Sequence, residues 1–157
     1  TDYEVTGADG RGLGIAWDGN SLYGVFTVDG TQGTPTEDFR RAANDAEQAW
    51  LRNYGAGGGA KISVLGRINP ANGELLDASY LSAVLSNGNS NTLNVTNVGT
   101  NASGNLVISA ESFFSPRRPD GTALTPPPTP GPSPFAYTVE ITPDLKRVVS
   151  TASPGWT

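Results

Sequence analysis

Short alternating or apolar runs, cut by glycine- and asparagine-rich breaks, dominate this chain from end to end. Gly12 to Trp17 leads into Asp18-Gly19-Asn20, and Leu22 to Val28 runs to Asp29-Gly30. β-Branched and aromatic residues bounded by Asp-Gly turns predict a hairpin. Lys61 to Ile68 and Glu74 to Leu81 predict a second hairpin, turning at Asn69-Pro70-Ala71-Asn72-Gly73. Leu93 to Val98 and Asn105 to Ala110 flank Asn101-Ala102-Ser103-Gly104, and Phe135 to Ile141 and Lys146 to Thr151 flank Thr142-Pro143-Asp144. Between the first two hairpins the period changes from two to that of a helix. Phe39, Ala43, Ala46 and Trp50 fall on one stripe, and Thr34-Pro35-Thr36-Glu37 reads as a capping box ahead of it. A helix over residues 35–54 is expected, with Trp50 as its anchor in the core.

The order β-β-α-β-β in the first half returns in the second, where a proline-rich loop over residues 115–134 replaces the helix. Gly19 to Val25 lies on Ser103 to Ser109, and Val64 to Pro70 lies on Tyr137 to Pro143. Two copies of one β-rich unit are expected, residues 1–84 and residues 85–157. The predicted fold class is mainly β: two antiparallel repeat modules, propeller-blade-like or packed as a sandwich, with one amphipathic helix.

Gly14-Ile15-Ala16-Trp17-Asp18-Gly19-Asn20-Ser21-Leu22-Tyr23-Gly24-Val25, Lys61 to Gly73 and Asp77-Ala78-Ser79-Tyr80-Leu81 together resemble the SBBP-type, seven-bladed β-propeller repeat family. The resemblance implies an extracellular or surface setting and a scaffolding or binding role, with no shared catalytic residues. Two units are too few to close a propeller of the usual four to eight blades, so open sheet edges are expected.

Composition narrows the chemistry. Twenty glycines and twelve prolines in 157 residues suit a turn-rich β fold. Only 16% of residues are charged, the net charge is −5, and the basic pairs Arg40-Arg41, Arg117-Arg118 and Lys146-Arg147 are scattered. Nucleic acid is therefore not an expected partner, and no apolar run is long enough for a membrane-spanning helix. The absence of Cys and His removes disulfides, thiolates and histidine-based triads.

Asp9, Asp18 and Asp29 each precede glycine and read as turn residues, with calcium as a weak alternative and no other cofactor expected. Glu4, Glu74, Asp77, Glu111 and Glu140 show no pairing that would suit glycoside hydrolysis, and no enzyme is expected. Asn94 and Asn101 head glycosylation sequons.

Functionally, the sequence reads as an exported structural subunit, released by signal-peptide removal, that assembles with copies of itself into a filament, tube or surface layer. Tyr3, Val5, Val148, Val149 and Trp156 are the candidate inter-subunit contacts, because the termini carry strand-like apolar positions. The alternative is a carbohydrate-binding module that stacks glycans on Trp17, Trp50 or Trp156.

Overall fold

The computed structural model describes Tyr3 and residues 8–30, 32–55 and 59–157, with the side chains of Ala8 and Asp9 left aside. Its first sheet is an antiparallel meander of β1 (Ala8–Trp17), β2 (Leu22–Gly30), β3 (Ile62–Ile68) and β4 (Leu75–Leu81). A two-residue ladder between β5 (Ala83–Val84) and β6 (Ser90–Asn91) follows. The second sheet is the meander β7 (Leu93–Thr100), β8 (Leu106–Ser112), β9 (Phe135–Ile141) and β10 (Val148–Ala152). Turn chemistry sets these boundaries: Gly73 and Gly104 take φ of 75° and 82°, a left-handed backbone that glycine adopts without penalty. The protein is mainly β, as its alternating pattern predicts.

The two meanders agree in detail. Leu22 faces Ile68 across β2–β3, as Leu106 faces Ile141 across β8–β9. The ladder slips between Gly12 and Gly14, opposite Phe26 and Val25. It slips again between Val95 and Asn97, opposite Ala110 and Ser109. On the far hairpin of each sheet one residue is skipped, Leu76 in β4 and Val149 in β10. Both skipped side chains are exposed, because a bulge leaves its extra residue out of the pairing.

Side-chain alternation decides what each sheet buries. Tyr23, Val25, Leu65 and Leu81 leave one face of the first sheet and join a core with Leu106, Ile108, Ala110, Tyr137, Val139 and Ile141 of the second. Val28, Ile62, Val64, Ala78 and Tyr80 leave its other face and meet Phe39, Ala42 and Ala43 of the helix. The first sheet is therefore buried on both faces through β2, β3 and β4, while Ile15 and Trp17 of β1, opposite Gly24 and Leu22, stand exposed at the rim of its helix-side face; the second sheet is buried on one face. Matching the strands by register puts Leu106, Ile108 and Ala110 where Leu22, Gly24 and Phe26 stand. The second sheet thus buries the face that the first gives to the helix. The sheets stack front to back, not front to front.

The helix is much shorter than residues 35–54. Only α1 (Asp38–Ala43) is α-helical, and a 3₁₀ turn at Ala49–Leu51 follows. Half of the capping box forms: the Glu37 carboxylate accepts from Thr34 N–H at 3.1 Å, while Thr34 Oγ1 meets Thr36 Oγ1 at 3.2 Å instead. Tertiary bonds end the helix. Glu47 N–H donates to Lys146 O at 2.7 Å, and the Gln48 amide donates to Val148 O and accepts from Val148 N–H. Lys146 adds an ion pair with Asp45 at 2.7 Å. These contacts draw residues 44–51 toward β10. The predicted stripe is accordingly split: Phe39 and Ala43 pack on the first sheet's helix-covered face, whereas Ala46 and Trp50 enter the core between the sheets.

Four tyrosines lie in this interior, Tyr23, Tyr54, Tyr80 and Tyr137. Burial pushes the phenols of Tyr23 and Tyr54 up to about 12, and those of Tyr80 and Tyr137 higher still. In the unfolded chain they ionise near the ordinary value of about 10. Above that pH the unfolded state holds fewer protons, so stability falls by about 1.4 kcal/mol per pH unit for each phenol still protonated in the fold. Alkaline titration followed at 295 nm should show these phenols ionising together, coincident with loss of near-ultraviolet circular dichroism between about pH 10 and 12. Independent, reversible ionisation near pH 10 in a chain that stays folded would contradict their burial.

Candidate functional site

The two flanks of the sheet stack differ. On one flank residues 44–51 close the gap beside β4 and β10, with Gln48 occupying the backbone groups of Val148. On the other flank, no strand among the described residues pairs with the outer edge of β1 or of β7. A groove of about 220 Å³ opens there, lined by Leu13 to Ala16 and Val25 on one side and by Val95, Thr96, Asn97 and Val98 on the other, so that its wall is part apolar and part polar. Ala16, Val95 and Val98 pack on the core between the sheets, so the groove is the uncovered rim of that core.

β1 carries an unusual distribution of side chains. Ala16 turns inward, while Leu13, Ile15 and Trp17 are 54%, 78% and 60% exposed. Three large apolar residues thus stand close together on a ten-residue strand whose outer edge pairs with no strand among the described residues. Natural edge strands are usually blunted by charge, proline, shortness or cover. β4 and β10 have such protection on the closed flank, and β7 exposes Thr96 and Asn97. β1 carries two charged residues, Asp9 and Arg11, both ahead of its apolar end.

The terminal contacts expected between subunits are made mostly within the chain. The Tyr3 ring packs on Phe26 and Phe39, and its hydroxyl donates to Gly73 O at 2.9 Å. Val148 is buried in the core between the sheets. Trp156 stacks edge-on against Phe135 at 4.9 Å, and the adjacent Thr157 exchanges two backbone bonds with Thr125. These three are intramolecular contacts, made because the tail finds a partner in the proline-rich loop and Tyr3 finds an aromatic pocket beside α1. Val149 is exposed at its bulge. Val5 lies outside the described residues.

The tryptophans proposed for glycan stacking are equally divided. Trp50 is 8% exposed, its indole N–H donates to Pro119 O at 2.9 Å, and Gly121 lies against its ring. That burial removes Trp50 from any ligand surface. Trp156 has one side of its ring on Phe135. Trp17 presents an open ring beside a cavity of about 80 Å³ that also borders Asp18, Tyr23 and Thr100.

Several of the carboxylates serve structure, while Glu74 and Glu111 are exposed and Glu4 lies outside the described residues. Asp18 accepts from the backbone N–H of Ser21 and Asn20, and the Ser21 bond in particular holds its pKa below the usual range. Asp77 pairs with Arg67, whose Nε lies 2.7 Å away. Glu140 accepts from the amides of Asn105 and Asn101 and from Ser150, and these bonds hold its pKa low. The Asn101 sequon amide is therefore engaged. Among the described residues, no three acidic side chains gather as metal ligands would.

Arg117 is the polar residue that pattern reading missed. It is buried, and its guanidinium stands 5.2 Å from the Trp50 ring. Its donors reach Ser82 O, Ala83 O, Gly121 O and the hydroxyls of Ser82 and Ser90 at 2.8–3.2 Å. Burial lowers its pKa to about 10, which leaves it cationic at neutral pH. It ties the proline-rich loop to the β5–β6 ladder. Its sequence neighbourhood, Pro116-Arg117-Arg118-Pro119, reads as a surface turn, and only the tertiary fold reveals a partner set.

No family model, no characterised protein and no solved structure matches this chain.

Proposed function

We propose that this chain is an exported structural subunit that associates with copies of itself through the open edges of its sheets, building a filament, tube or surface layer outside the cell. The observation that carries the reading is β1, a ten-residue edge strand with exposed Leu13, Ile15 and Trp17. Unpaired backbone groups beside exposed apolar side chains favour addition of another strand. The matched registers and bulges of the two sheets support descent from one duplicated blade-like unit. Growth by stacking further blades on the first sheet would need a bare face, and α1 with Tyr3 occupies that face except at its β1 rim, where Ile15 and Trp17 stand exposed. Assembly through edges is the route left open. A scaffolding role also suits Asp18, Asp77 and Glu140, whose oxygens are engaged in a turn, an ion pair and amide bonds.

Electron microscopy of the purified chain, taken from dilute to concentrated solution, tests this directly. Ordered polymers with one repeating subunit spacing are the expected result. Uniform single particles at every concentration would overturn the reading.

A further inference from the structure

We infer that the open flank is a self-complementary interface: β1 pairs antiparallel with β1 of a second copy, about a twofold axis through the middle of the strand. This rests on the self-association reading and specifies its first contact; a twofold pair closes on itself, so growth from dimer to polymer needs a second contact elsewhere on the subunit. Among the described residues six large apolar side chains are notably exposed, and three of them, Leu13, Ile15 and Trp17, lie together on β1. Leu76 and Val149 sit singly at bulges of the two sheets, and Phe114 follows the end of β8. With the axis at the middle of the strand, Leu13 and Ile15 of one copy lie opposite Gly12 and Gly10 of the other, where bare backbone leaves room for them, and this reciprocal pairing is isologous.

Continuity with the existing core supports the same occupant. The groove beside β1 is bordered by Val25, Val95 and Val98, which belong to or pack on the core between the sheets. An apposed Leu13 from the second copy would extend that core outward. The glycines of β1 help, because Gly14 has open space where a side chain would stand. At about 3.4 Å per residue, ten residues make an edge about 34 Å long. Two layers present a flank about 20 Å deep, so each copy would cover about 700 Å², or about 1,400 Å² in total. That falls within the range of stable, specific interfaces.

The absence of cysteine makes the test clean. A Leu13→Cys chain should form a covalent dimer on mild oxidation, because residue 13 lies near the twofold axis. If Leu13→Cys chains link only when mixed with Thr96→Cys chains, β1 docks on β7 head to tail and the inference is wrong. Sedimentation of Ile15→Lys supplies the second arm. Ile15 is 78% exposed, so its thermal transition should be unchanged while the dimer is lost. A dimer that survives in Ile15→Lys overturns the inference. Polymers that persist in Ile15→Lys overturn this interface and leave the self-assembly reading standing. A wild-type dimer that dissociates in Ile15→Lys, with no polymer in either, supports this interface and overturns the filament. A wild-type chain that never leaves the monomer overturns both.

Discussion

Replacing Arg117 with alanine is expected to cost about 4 kcal/mol or more, enough to threaten a fold whose whole margin is on the order of 5–15 kcal/mol. The loss has two parts. Three backbone carbonyls and two serine hydroxyls would lose their donor in a buried setting, and each unsatisfied group costs about 1–3 kcal/mol unless water reaches it. The Trp50 ring would also lose the guanidinium beside it. Arg117→Lys should fall between alanine and wild type, since an ammonium keeps the charge but cannot reproduce a planar set of five donors. Chemical denaturation measures both. An Arg117→Ala chain with a wild-type midpoint would show that the loop is not held through this side chain.

Trp50→Ala should cost about 3–5 kcal/mol. The ring is buried between the 3₁₀ turn and the proline-rich loop, where a Cβ added to Gly121 would come within 2.7 Å of it. Its removal leaves a cavity there and frees Pro119 O from the indole N–H. Because Arg117 and Trp50 touch, the double substitution should cost less than the sum of the singles. Additive losses would show that each residue acts alone. An unchanged melting temperature for Trp50→Ala would return this tryptophan to the list of surface stacking residues.

The strands were legible because period-two apolar patterning and glycine turns are local signals. Each of the eight long strands of the two sheets overlaps a run that alternation or turn chemistry predicts. The helix was legible in its burial and not in its length. Phe39, Ala43, Ala46 and Trp50 are all buried, yet nothing near Asn44 announces that Glu47 and Gln48 will bond to Lys146 and Val148, about a hundred residues on. Val148 and Val149 show a similar limit. A single-residue bulge sends one into the core and the other to the surface, and their sequence does not mark it.

The candidate surface was hidden for a different reason. Alternation in Leu13-Gly14-Ile15-Ala16-Trp17 invites burial of the large residues, and the fold instead directs Ala16 inward. Large residues outside and small ones inside reverse the amphipathic rule. Reversal of that kind on an unpaired edge is what a surface kept for a partner would show.

Sedimentation velocity of the unmodified chain across a wide concentration range reads self-association with no substitution in the way. The 16.3 kDa subunit should shift to dimers and larger species as concentration rises. A single 16.3 kDa species at every concentration would contradict self-association.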